Sequence, residues 1–254
     1  MTCHSITGST HEEPYETGPL SCGLIIFRTC GLAEERIGAK LQSLLTRDER
    51  ISVSFLSHPL GTDVQVRLHS SQSLEPDFVT RVRDEVRLRL GEYLYGEGEE
   101  SMEEVVGNQL RQNRHTLATA ESCTGGLIAS RVTDVPGSSD YFLQGVVTYS
   151  NQAKKELLGV REETLCRFGA VSGQVVREMC IGLKRISRAD LTLAVSGIAG
   201  PGGGSAEKPV GLVFLCLYDG QNFSLKECRL QGSRKEIKLE ASQMALDLVR
   251  RYYL

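Results

Sequence analysis

Three short stretches place nucleophilic, basic or glycine-rich residues where a strand is expected to give way to a helix or loop. In layered α/β folds these are the positions at which sites form. The first is T-A-E-S-C-T-G-G, residues 119–126. Small residues there lead from a strand straight into a helix, whose free N–H groups favour anions and developing oxyanions. Ser122 and Cys123 both stand at this junction as potential nucleophiles. A plainer pair of roles is open as well, with Ser122 an N-cap and Cys123 a core residue. The second stretch is V-T-Y-S-N-Q-A-K, residues 147–154. Ser150 or Asn151 caps the helix, so Lys154 falls in or near its first turn, the wrong end of the macrodipole for a cation. That placement lowers a lysine pKa and suits a general base; taken alone, the residue reads equally as a surface charge. The third is S-G-I-A-G-P-G-G-G-S-A-E-K-P-V-G, residues 196–211. Its glycines let backbone approach a ligand closely and aim N–H groups at it, or form a flexible connection. It fits neither the P-loop nor the dinucleotide fingerprint, because the Lys-Ser/Thr ending and the following helix are missing. Beyond Ser101 the only histidine is His115, which begins a strand at the end opposite to the one from which Ser122 emerges. A histidine-based triad would therefore need a histidine from the tail or from the first part of the chain. A serine activated by lysine remains, an established variant of the same logic.

The elements that must hold these residues follow from apolar periodicity. A first segment reads β-α-β-β-α-β: a strand over 24–28, a helix over 32–45 with Ile37, Leu41, Leu44 and Leu45 on one stripe, and strands marked by Ile51, Val53, Phe55 and by Val64, Val66, Leu68. Residues 58–62 make the hairpin between those strands, 78–90 a helix and 92–95 a closing strand. Gly and Glu at 96–100 form the expected boundary, and Ser101 with Glu104 is a capping-box pattern opening a helix with Met102, Val105, Val106 and Leu110 on its stripe. Strands at 116–120, 146–149 and 191–195 then alternate with helices at 125–132, 152–158 and 175–183. Strands at 212–217 and 223–229 are joined at Asp219–Gly220, a hairpin signal. Ile237, Ala241, Met244, Ala245 and Leu248 give the last helix its stripe. The expected architecture is a layered α/β domain over 99–254 with a mainly parallel sheet. A small α+β domain over 20–98 and a disordered tail over 1–19 precede it.

Composition limits the partners. The chain of 254 residues is 40% hydrophobic and 24% charged, a globular balance, with a net charge of -3. Nucleic acid is not expected, since such proteins usually carry a basic excess. The longest apolar run, around 210–217, is far too short to span a bilayer. Residues 1–18 lack the apolar core of a secretory signal, so a cytoplasmic location is expected and no membrane partner. The eight cysteines, Cys3, Cys22, Cys30, Cys123, Cys166, Cys180, Cys216 and Cys228, are expected as free thiols in a chain able to build its own core. Neither C-x-x-C nor H-E-x-x-H occurs, so no metal is expected.

Taken together, TAESCTGGLIASRVTDVPGSSDYF, GVVTYSNQAKKELLGV, FGAVSGQVVREM and SGIAGPGGGSAEKPVGLV resemble the CinA C-terminal domain family, which includes the nicotinamide mononucleotide deamidases of the PncC type. The resemblance runs from about Met102 to the C-terminus. Residues 24–98, through RTCGLAE and LGEYLYGEGEESMEEVVG, resemble the small KH-like middle domain of full-length CinA proteins, but carry no G-x-x-G loop for RNA. The molybdopterin-binding-like domain that precedes it in full-length members is expected to be absent. The resemblance implies a cytoplasmic amidohydrolase of pyridine nucleotide salvage that converts nicotinamide mononucleotide and water to nicotinate mononucleotide and ammonia, with no cofactor. It implies three catalytic residues, Ser122 as nucleophile, Lys154 as base and Tyr149 lining the site. Cys123, Thr124, Gly125, Gly126, Ser139, Ser196, Gly197, Gly200 and Arg234 are implied as substrate-binding residues. Ser196 stands where many members have threonine. Gly232-Ser233-Arg234 stands for the family's G-D-R, with the acid lost. A homo-oligomer, a dimer, is expected. Two other readings stay open: a thiol nucleophile at Cys123, activated by the helix start, and a non-catalytic interaction protein of the competence/damage kind.

Overall fold

The computed structural model describes residues 21–45, 48–70 and 74–254. The expected tail, the side chain of Leu45, Cys3 and the thiol of Cys22 lie outside the described residues. In the first part, β1 (Ser21–Thr29), β2 (Ile51–His58), β3 (Gly61–Ser70) and β4 (Leu94–Glu97) form a four-stranded sheet in the order β2-β3-β1-β4. All its pairs are antiparallel. Alternation puts Ile25, Phe27, Val64, Val66 and Leu68 on one face, where they bury against α1 (Glu34–Leu45) and α2 (Pro76–Leu90) through Ile37, Leu41, Val82 and Val86. This is the expected β-α-β-β-α-β order. The hairpin is tighter than expected: His58 already pairs with Gly61, leaving Pro59 and Leu60 as the turn. Residues 96–97 of the Gly/Glu stretch belong to β4 itself, and Gly98 N–H continues the pairing to Ile26 O at 2.8 Å.

The second part carries β5 (Leu117–Glu121), β6 (Phe142–Val147), β7 (Leu191–Gly197), β8 (Leu212–Tyr218) and β9 (Phe223–Arg229) in the order β6-β5-β7-β8-β9. The sheet is mixed. β6, β5 and β7 are parallel, while β8 and β9 are antiparallel additions, which corrects the expectation of a mainly parallel sheet. The glycine-rich run after β7 is a loop, not a crossover helix, so β8 must return alongside in the opposite sense. Each of β5 and β7 is buried on both faces, as a central strand between helical layers must be. Leu117, Leu193, Val195, Val213 and Leu215 pack under α3 (Met102–Asn113), α4 (Leu127–Thr133) and α8 (Arg234–Arg251). Ala118, Ala120, Ala194 and Cys216 pack under α5 (Asn151–Leu158), α6 (Glu162–Phe168) and α7 (Gly173–Ser187).

Two expected strands moved and one helix was not expected. The closing strand of the first part lies at Leu94–Glu97 and not at 92–95. β6 lies at Phe142–Val147 and not at 146–149, because Gln144 and Gly145 hide the alternation of a half-exposed edge strand. The short α6 has no side-chain cap and gave no start signal. The capping box at Ser101 and Glu104 is present. The described cysteines Cys30, Cys123, Cys166, Cys180, Cys216 and Cys228 are free thiols. No helix among the described residues is long and apolar enough to cross a membrane.

The two parts meet along the C-terminal helix. Cys30 and Tyr95 join the core under α8. Arg250, 3% exposed, donates to Leu94 O at 3.3 Å and Glu92 O at 2.5 Å while held by Asp247 at 2.7 Å. Arg251 pairs with both Asp247 and Glu92.

Candidate active site

The site is assembled at the C-terminal ends of the parallel strands. Ser122 follows β5 directly, and its N–H donates to Val195 O at 3.1 Å, carrying the pairing with β7 one residue further. The chain then turns sharply. Gly125 N–H closes on Ser122 O at 3.1 Å, and Gly125 and Gly126 take φ of +64° and +95°, a left-handed pair that glycine adopts without steric cost. Helix α4 therefore starts at Leu127 with a glycine at its cap and no side-chain cap of the usual kind. Glu121 does that work from the strand. Its carboxylate, on a residue 1% exposed, accepts the N–H groups of Gly126 at 2.9 Å, Ile128 at 3.1 Å and Ala129 at 2.8 Å. The turn holding Ser122 is thus fixed by three charge-assisted bonds. An acid ending the otherwise apolar run L-A-T-A-E, ahead of a helix without a capping side chain, was the signal for it in the sequence.

Lys154 comes from α5, whose N-cap is Ser150, accepting from Ala153 N–H at 3.0 Å. The lysine is 1% exposed. Its Nζ lies 3.0 Å from Ser122 Oγ and 2.8 Å from Thr148 O. Burial holds its pKa below that of an ordinary lysine, while the neighbouring Cys123 pulls weakly the other way. The direction matches the expectation; the cause is loss of solvent more than the helix end. For Cys123 the expected direction is reversed. Burial pushes the thiol up to about 11, because enclosure among apolar groups outweighs the helix start. At neutral pH the thiolate is scarce, and with it the nucleophilic form.

Around this pair lies a cleft of about 260 Å³. It brings together Ser122, Cys123, Tyr149, Lys154, Ser196, Gly197, Gly200 and Arg234. The Tyr149 hydroxyl accepts from Arg234 at 2.7 Å, and the same guanidinium donates to Gly200 O at 2.6 Å, so Arg234 ties the glycine-rich loop to the tyrosine. In the Gly232-Ser233-Arg234 stretch, Ser233 is the N-cap of α8 in a full capping box with Glu236, a position at which serine and an acid are near-equivalents. Ser196, 1% exposed, spends its hydroxyl on Ala170 O at 2.8 Å and so holds the opposite wall. Ala170 and Val171 also line the cleft; they lie in the FGAVSGQVVREM stretch but were not singled out as site residues.

Four of the singled-out residues do not line it. Thr124 is fully buried, with a hydroxyl lacking a partner among the described residues. Gly125 and Gly126 shape the turn from behind, and their N–H groups are already spent on Ser122 O and Glu121. Of the 123–126 amides, those of Cys123 and Thr124 bond no oxygen and face the Cys123 sulfur instead. Ser139 sits in an exposed turn (Ser138–Asp140) just before β6. Since β5 and β6 are parallel, that turn and Ser122 are at opposite ends of the sheet. His115 is at that far end too, 3.0 Å from the Tyr253 hydroxyl. No group of three or more His, Cys, Asp or Glu among the described residues is placed to hold a metal ion.

Comparison with known proteins matches the chain to a family. The model of the CinA C-terminal domain matches residues 99–253. A CinA-like protein of Thermotoga neapolitana is 43% identical over 230 residues, covering 90% of this chain and 55% of that protein. One from Geotalea uraniireducens is 40% identical with the same coverage. The chain therefore spans about half the length of the curated relatives it matches. Among solved structures, the competence/damage inducible protein CihA of Agrobacterium tumefaciens is 43% identical with a TM-score of 0.58, covering 61% of this chain and 98% of that one. A CinA superfamily protein of Klebsiella pneumoniae is 32% identical with a TM-score of 0.58, covering 60% and 97%. The chain belongs to the CinA C-terminal domain family.

Proposed function

We propose that the protein is an amidohydrolase that converts nicotinamide mononucleotide and water to nicotinate mononucleotide and ammonia through Ser122 and Lys154. The observation that carries this reading is the buried Lys154 Nζ 3.0 Å from Ser122 Oγ, with its pKa lowered by burial. A neutral amine donates one N–H to Thr148 O and turns its lone pair to the serine hydroxyl, which is the arrangement a general base needs. Ser122 Oγ attacks the carboxamide carbon as Lys154 takes its proton. The tetrahedral oxyanion falls to the amides of Cys123 and Thr124, which exchange their weak bonds to the Cys123 sulfur for it; one such donor is typically worth about 3 kcal/mol in the barrier. The lysine ammonium then returns its proton to the departing nitrogen, ammonia leaves, and a serine ester remains. Water, deprotonated by the same lysine, hydrolyses that ester. Arg234, Tyr149 and the loop from Gly197 to Gly203 shape the wall against which the substrate lies.

Ammonia release from nicotinamide mononucleotide by the purified chain tests the reading directly. Turnover that persists in EDTA is expected. Absence of turnover at millimolar substrate, or a strict metal requirement, rejects it.

A further inference from the structure

A second cavity of about 420 Å³ lies beside the cleft, between the start of α4 and the first turns of α8. Leu127, Arg234, Lys235, Lys238 and Leu239 line it, and Arg234 lines the cleft as well. Its three charged residues are all cations. The acid nearest in sequence, Glu236, is turned back to accept from Ser233 N–H at 2.7 Å. Lys235 and Lys238 make no ion pair or hydrogen bond among the described residues. Several other lysines are engaged: Lys155 with Glu162, Lys184 with Asp190 O, Lys208 with Phe168 O.

This arrangement opposes local stability. Cations at a helix N-terminus work against the macrodipole, and the three repel one another. An anion in the cavity reverses both effects. The position ties that anion to the chemistry. Lys238 Nζ lies 3.7 Å from where a Cβ on Gly125 would stand, and Gly125 closes the turn on Ser122. Leu127 and Leu239 supply apolar walls for a carbon skeleton. Arg234 is already committed to Tyr149 and Gly200, which leaves two uncommitted positive charges. A phosphate monoester carries close to two negative charges at neutral pH, and lysine serves phosphate as a point charge.

We propose that the α4–α8 cavity is a phosphate-monoester subsite in which Lys235 and Lys238, next to Arg234, hold the phosphate of a substrate whose amide lies at Ser122. The placement of the amide rests on the amide-hydrolysis reading above; the subsite itself can be tested apart from it. Ribose 5-phosphate is titrated into the full chain by calorimetry, and into the double variant Lys235→Gln/Lys238→Gln. Binding at least tenfold weaker in the double variant is expected. Lys238→Arg, which keeps the charge, should hold most of the affinity and separates charge from packing. In a second arm, the ratio of kcat/KM for nicotinamide mononucleotide to that for the dephosphorylated nucleoside should fall at least tenfold in the double variant. Equal ribose 5-phosphate affinity in the two proteins, with an unchanged ratio, overturns the subsite even if the amide is hydrolysed. Lysine-dependent binding without ammonia release from either compound keeps the subsite and rejects the amidase reading.

Discussion

At the scale of single residues, the site turns on a lysine in an enclosed place where a charged amine is disfavoured. Lys154 is 1% exposed and within hydrogen-bond reach of Ser122 Oγ. Ser122→Ala and Lys154→Ala should each lower ammonia release by at least about 10³-fold without unfolding the protein. The double variant should be hardly worse than either, since the two act as one unit; additive losses in steady-state kinetics would separate their roles. Lys154→Arg should fail equally, because a guanidinium keeps its proton. Cys123→Ala should retain substantial activity, in line with a thiol pushed up to about 11. The pH dependence has a definite sign. Only neutral Lys154 accepts the serine proton, so kcat/KM should rise with pH through its folded-state pKa. It should level off below the ordinary lysine value of about 10.4, because burial lowers that pKa. A rate that keeps climbing past that value would remove the lysine as base. Ser122 and Lys154 were legible in the sequence because each sits at a strand-to-helix junction with no histidine nearby. The placing of Ser139 was not, because whether a turn lies at the top or bottom of a sheet depends on strand direction, which motif spacing does not record.

At the scale of elements, α4 depends on a strand residue for its start. Glu121 satisfies three N–H groups at the head of that helix and thereby fixes the turn carrying Ser122. Glu121→Ala leaves those three donors, one buried and two half-buried, unmatched. It should cost about 3 kcal/mol, a fall of roughly 10 °C in melting temperature for a unit of this size. Glu121→Gln keeps one acceptor and should cost about half as much. Thermal melts of the two variants decide this, and equal melting temperatures for wild type and Glu121→Ala would show that the cap is dispensable. The helices with long apolar stripes, α2, α7 and α8, were plain from periodicity. The edge strand β6 and the seven-residue α6 were misplaced or missed, because a half-exposed strand and a short uncapped helix leave weak patterns. The antiparallel β8 and β9 showed themselves as a hairpin, yet their joining β7 in one mixed sheet is a tertiary fact. It is set by the route of the loop at 198–211, and no local pattern reports it.

At the scale of the whole molecule, the two sheets have separate cores, and we propose that the chain divides near residues 98–99 into two folding units. The A. tumefaciens relative, whose solved chain is covered to 98% by only 61% of this one, is in keeping with that division. A chain reduced to residues 99–254 should fold and keep whatever ammonia release the full chain shows. Its melting temperature should be lower by a few degrees, because Arg250 loses the Glu92 and Leu94 carbonyls and the core loses Cys30 and Tyr95. A folded, inactive 99–254 chain would mean that the first unit contributes to the site. Between the two units runs α8, and its ends have different duties. Arg234 at its first turn ties the glycine-rich loop to Tyr149, and Arg250 and Arg251 at its last turn grip Glu92 and Leu94. In a helix each added residue advances the chain by about 1.5 Å and rotates it by about 100°. A single insertion or deletion in the middle of α8 would therefore swing one set of arginines to the wrong side of the axis while the other stayed in place. Substitutions on the outer face leave that phase unchanged, whereas a change in the number of residues between Arg234 and Arg250 alters it. The count of residues sets the phase: α8 acts as a gauge, and its length sets how the site-bearing unit is turned against the unit before it.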